Sequence, residues 1–84
     1  MKLKFSTKTS MISVDHFDPE NFEISCSDSA LSYFINGRKE LIAIHKDSAK
    51  VRRTYERILA AAKDQDAKQC YIGKNLERME LIYE

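Results

Sequence analysis

Glycine and proline are scarce: the 84 residues hold two glycines and one proline. That excludes a collagen-like, linker-rich or low-complexity chain and leaves few positions for tight reversals. Tryptophan is missing. The two cysteines, Cys26 and Cys70, lie far apart with no C-x-x-C spacing, which excludes a disulfide scaffold or a zinc ribbon. Both are expected to be reduced core thiols. The longest unbroken apolar run, ILAAA at residues 58–62, falls far short of the roughly 20 residues a membrane-spanning helix requires. The opening MKLKFSTKTS has no apolar segment of the signal-peptide kind. The expected setting is cytoplasmic, with no membrane partner.

A large excess of one charge is also lacking, since the net charge is +1. The chain is therefore neither a polybasic nucleic-acid coat nor a polyacidic mimic. The near-balance conceals a segregation. Between Thr9 and Gly37 there is no lysine or arginine, while Asp15, Asp18, Glu20, Glu23 and Asp28 are acidic. From Lys46 to Arg57 the sign reverses, with Lys46, Lys50, Arg52, Arg53 and Arg57 against Asp47 and Glu56.

What is present is clear periodicity. Leu3 and Phe5 alternate in KLKFS, Ile12 and Val14 in MISV, and Phe22, Ile24 and Cys26 in NFEISC. Period two is the pattern of half-buried antiparallel strands. In LSYFINGRKELIAIH, Asn36-Gly37 separates two apolar runs and marks a two-residue hairpin, because a type I′ turn needs positive φ at both central positions. The return segment LIAI is apolar on both faces and reads as a central strand. A rival reading makes 27–36 a short helix capped by Ser27 or Ser29 and closed by Gly37.

From Asp47 or Ser48 to about Asp64, Val51, Tyr55, Ile58, Leu59 and Ala62 form one apolar stripe at helical spacing. Asp47 and Ser48 are N-capping residues. After the polar DQDAKQ come a short strand at CYI and a last strand at RMELIYE, with a terminal helix capped by Asn75 as the alternative. The expected fold is α+β, a single domain over 1–84. It has a mostly antiparallel sheet of five to six strands, with one amphipathic helix, 48–64, packed across one face.

Residues 71–78, Tyr-Ile-Gly-Lys-Asn-Leu-Glu-Arg, resemble the second half of the GIY-YIG nuclease motif. The resemblance implies Tyr71 as a catalytic tyrosine and Arg78 as the arginine of a following helix. The segment before Tyr71, however, reads as helix and turn, not as the strand that carries the first half of that motif. No distal glutamate follows Glu84 in these residues. The simpler reading is a Tyr-Ile strand closed by a glycine turn.

Other chemistry is thinly supported. Asp15, His16 and Asp18 cluster, with His45 elsewhere, but no frame of three metal ligands appears. There is no phosphate-binding glycine loop and no nucleophile elbow. No enzymatic activity, cofactor or metal is expected. The informative feature is the helix surface, where Lys50, Arg53 and Arg57 share one side at i, i+3 and i+7. Ala60 and Ala61 are expected to continue that outer face, allowing another backbone to approach closely. These five residues form the candidate binding site. The expected function is a small regulatory module docking on a partner protein, of a size common among phage and mobile-element accessory proteins. Nucleic-acid binding through the same helix is the alternative. Head-to-tail pairing between copies, acidic strands against basic helix, is a further expectation.

Overall fold

The computed structural model describes residues 1–7 and 9–84. Its elements are β1 (Lys2–Ser6), β2 (Met11–Val14), β3 (Phe22–Ser25), β4 (Ala30–Ile35), β5 (Arg38–Ile44), α1 (Ser48–Ala62), β6 (Gln69–Ile72) and β7 (Met79–Ile82). Single turns of 3-10 helix at Pro19–Asn21 and Lys74–Leu76 complete the chain.

The α+β class expected from the sequence is found, but among the described residues the strands number seven and divide into two sheets. One sheet has the order β2-β1-β6-β7, the other β3-β4-β5. In the first, β1 and β6 run parallel, Leu3 opposite Cys70 and Phe5 opposite Ile72, while both outer pairs are antiparallel. Pairing β1 with β6 encloses the whole second sheet and α1 in the crossover. No local signal announces such a partner, because the pleat repeats identically whatever strand lies alongside.

The second sheet is a meander built on the expected hairpin. Asn36 (φ 52°) and Gly37 (φ 80°) both take the left-handed conformation between Ile35 and Arg38. The rival short helix is not formed. The register shifts once: Leu31 faces Ala43 but Ser32 faces Leu41, so Ile42 is the extra residue of a β-bulge. The bulge turns Ile42 inward, and it is buried in the core. Strand β5 lies at the sheet edge, which corrects the expectation of a central position for LIAI. Its apolar residues are divided between core and solvent, with Leu41 46% and Ile44 70% exposed.

The β3–β4 connection accounts for a second correction. Cys26, Ser27 and Asp28 are all left-handed, with φ of 54°, 55° and 67°. For non-glycine residues this costs roughly 1–2 kcal/mol each. The turn is closed by the Ser29 hydroxyl and amide, both donating to the Cys26 carbonyl at 2.6 and 3.2 Å. Leaving the strand one residue early takes Cys26 out of the alternation, and it is exposed rather than buried.

Helix α1 starts at its expected cap. The Asp47 carboxylate accepts from the amides of Ala49 and Lys50 at 3.1 and 3.3 Å, satisfying two of the donors a helix leaves unpaired. The helix packs on β3, β4 and the Lys74–Leu76 turn. It delivers Val51 and Ile58, both fully buried, to a core that also holds Leu3, Phe5, Cys70 and Ile72 from one sheet and Phe22, Leu31 and Tyr33 from the other. Complete burial of each aliphatic side chain contributes about 1.5–3 kcal/mol. Phe22 stacks on Tyr55 and meets Phe17 edge-on, with centroids 5.0 and 5.3 Å apart. The alternative of a terminal helix is not realised, since 79–82 is β7, antiparallel to β6.

Candidate binding surface

The buried face of α1 is Val51, Thr54, Ile58 and Ala61, at i, i+3, i+7 and i+10. Helix geometry then leaves Lys50, Arg53, Arg57 and Ala60 along one margin of the core and round to the outside. Arg53, Arg57 and Ala60 are exposed and Lys50 is half-buried. Ala61 is not on the outer face as expected: it is 4% exposed and belongs to the core. The stripe read from Val51, Tyr55, Leu59 and Ala62 is centred too far to one side. Contact with the Lys74–Leu76 turn brings Thr54 to the buried side, and Met79 and Leu81 of β7 lie beside Ala61.

Three salt bridges occur among the described residues. Lys2 meets Asp15 at 3.8 Å, Lys39 meets Glu23 at 2.8 Å, and Arg52 meets Asp28 at 3.4 Å. The hydrogen bond and negative charge of Glu23 hold the Lys39 ammonium above its usual pKa. Arg52 ties the helix to the left-handed β3–β4 turn. Among the described residues Lys50, Arg53 and Arg57 have no carboxylate partner within salt-bridge distance.

Sequence reading missed what lies beside them. A small crevice lined by Thr54, Arg57, Ile72, Leu76, Arg78 and Met79 brings Arg57 and Arg78 to one place. The helix packs directly against the turn that carries Lys74. The cationic margin thus continues from α1 onto 74–78. No spacing in the sequence signals this, because the two segments meet only through tertiary packing. Arg78 places its guanidinium carbon 5.9 Å from the centroid of the Tyr71 ring, within the range of a cation–π contact. Tyr71 lies on the outward face of the four-stranded sheet, between Lys4 and Glu80 in register. Arg78 precedes a strand, not a helix, so the arrangement implied by the nuclease resemblance is not formed. On the other side of Arg57, a shallow groove runs between Ala60, Ala61 and Asp64 of the helix end and Met79 and Leu81 of β7.

The remaining polar candidates have structural roles. The Asp18 carboxylate caps the Pro19–Asn21 turn by accepting from the Glu20 amide at 3.0 Å. The Tyr33 hydroxyl accepts from the Asp18 amide at 2.9 Å. His45 Nδ1 accepts from the Asp47 amide at 3.0 Å. Among the described residues no three His, Cys, Asp or Glu side chains converge as a metal site would require. Burial pushes the Cys70 thiol up to about 11, against the opposing effect of the Arg57 charge, so it is protonated at neutral pH and a poor nucleophile.

Comparison with protein-family models, curated proteins and solved structures finds no match to this chain.

Proposed function

We propose that the chain is a non-enzymatic binding module that docks on an acidic surface of a partner protein through Lys50, Arg53 and Arg57, with Ala60 at the edge of the contact. The observation that supports this is the placement of the three cations along one margin of a capped and packed helix, with no carboxylate within salt-bridge distance of any of them among the described residues. Guanidinium groups suit the task because they bond carboxylates in pairs and are weakly hydrated. Their position on a helix that is capped and packed fixes the spacing of the charges, which limits the ordering cost of association. The two free thiols suit a reducing, cytoplasmic compartment.

The test is affinity capture from producing cells with the tagged wild type and the Lys50→Ala/Arg53→Ala/Arg57→Ala variant side by side. A partner retained by the first and lost from the second supports the site. Identical recoveries refute it.

One observation favours a second reading, nucleic-acid binding by the same margin. Arg78 and Tyr71 set an aromatic ring beside the cations, and single strands bind through such pairs of stacking and charge. This reading requires binding of labelled oligonucleotides that weakens with salt, with a slope near −0.9 per neutralised phosphate on duplex. The protein-docking reading requires none.

A further inference from the structure

A cavity of about 170 Å³ lies where the two sheets meet, bounded by Phe5 and Ser6 at the end of β1, Ile42 and Ile44 of β5, and Lys74 and Leu76 of the following turn. It is smaller than the roughly 300–1,000 Å³ of pockets that enclose whole small molecules. It is comparable to the apolar cavities of about 150 Å³ that accept a single benzene. The space fits one side chain.

Three observations indicate what kind of chain brings that side chain. First, β5 is an edge strand, and among the described residues no backbone hydrogen bond joins it to β1 or to 73–76. An unpaired strand edge is a template for an added strand. Its first half, Arg38–Glu40, is charged and blocks continuous pairing, whereas Leu41–Ile44 carries no charge. Second, the bulge sends Ile42 to the floor of the cavity, while Ile44, the most exposed large apolar side chain described, stands at the rim. Third, among the described residues Lys74 is the one ionisable residue in the lining, and none of them that lines it is a carboxylate. The wall beside Lys74 is Asn75 and Leu76, with φ of 57° and 58°. Non-glycine residues persist in this conformation where the surroundings hold them, often at ligand clamps.

We propose that this cleft receives a short extended segment of an acidic partner protein. The segment pairs with the free edge of β5 over 42–44, places one aliphatic side chain in the cavity and sets a carboxylate against Lys74. This rests on the reading of the chain as a protein-binding module and adds a second contact, separate from the helix cations.

The experiment is an amide NMR titration of the ¹⁵N-labelled protein with a capped probe peptide, Asp-Glu-Leu-Asp-Glu. Its counterparts carry alanine for leucine, or lysine for every acidic residue. The leucine peptide is expected to shift amides of 42–44 and 73–76. The alanine peptide should bind about tenfold or more weakly, as loss of three buried carbons implies. Lys74→Glu, an exposed substitution, should weaken the leucine peptide about fivefold. The Lys50→Ala/Arg53→Ala/Arg57→Ala variant should keep the cleft shifts. Shifts confined to α1 overturn the cleft assignment and leave the helix reading standing. Cleft shifts that vanish in the triple variant overturn the independence of the two contacts. Equal binding of the lysine peptide, or no shifts at millimolar peptide, overturns the proposal altogether.

Discussion

Phe22 of β3 stacks on Tyr55 of α1 with ring centroids 5.0 Å apart and planes inclined by 26°. This pair joins the helix that carries the proposed site to the three-stranded sheet. Phe22 is almost fully buried while Tyr55 is half-buried, so the two sides of the pair differ in what they contribute. Phe22→Ala is expected to lose about 3–5 kcal/mol, the usual effect of emptying a buried aromatic site. Tyr55→Phe keeps the ring and should melt close to the wild type, whereas Tyr55→Ala should lose the pair interaction, about 0.5–1.5 kcal/mol, together with its buried area. Thermal unfolding followed by circular dichroism checks the order. Equal melting of Phe22→Ala and wild type would contradict the packing described.

The two thiols differ in environment and should differ in chemistry. Cys26 stands exposed on a left-handed turn, and Cys70 is enclosed between β1 and β7 with its pKa raised to about 11. At about pH 8 a thiol reagent should modify one cysteine per folded chain, and Cys26→Ser should remove that reactivity. Cys70 should react only on unfolding. Rapid modification of two thiols in the folded protein would show that Cys70 is accessible.

The Tyr83 hydroxyl donates a 2.9 Å hydrogen bond to Asp64 Oδ2, linking the end of β7 to the segment after α1. This bond, then partial burial, then the charges of Asp64 and Asp66 raise the phenol above its usual 10.0. A raised pKa in the fold means that the neutral phenol is favoured there. The resulting stabilisation is fully present below pH 10 and is lost as pH rises through the higher folded value. The melting difference between wild type and Tyr83→Phe should therefore be present at about pH 8 and close in alkali. A difference that grows with pH would contradict the assignment.

Local chemistry was readable in the sequence wherever a short segment decides its own conformation. Asn36-Gly37 dictates a turn, Asp47 dictates a helix start, and alternation dictates strands. What the sequence concealed depends on distant packing. The parallel pairing of β1 with β6 divides the strands into two sheets, and nothing in KLKFS or QCYI specifies that partner. The same is true of the site. The cations Lys50, Arg53 and Arg57 follow from helical spacing alone. The arrival of Arg78 beside Arg57 follows from the packing of the 74–78 segment on the helix, and Ala61 lies beside Met79 and Leu81 of β7. LIAI was misplaced because apolar residues on both faces usually mean a central strand, whereas here a bulge sends Ile42 inward and leaves Leu41 and Ile44 outside.

The proposed site is tested most directly by the affinity of a captured partner for three forms of the protein. These are the wild type, the Lys50→Ala/Arg53→Ala/Arg57→Ala variant, and a control, Arg38→Ala/Lys63→Ala/Lys68→Ala, which loses the same charge from exposed positions elsewhere. If the helix margin is the docking surface, its variant binds about tenfold or more weakly, equivalent to at least 1.4 kcal/mol, and the control binds nearly as the wild type does. Equal weakening of both variants would mean that only net charge matters, and unchanged affinity in the first would place the partner elsewhere on the molecule.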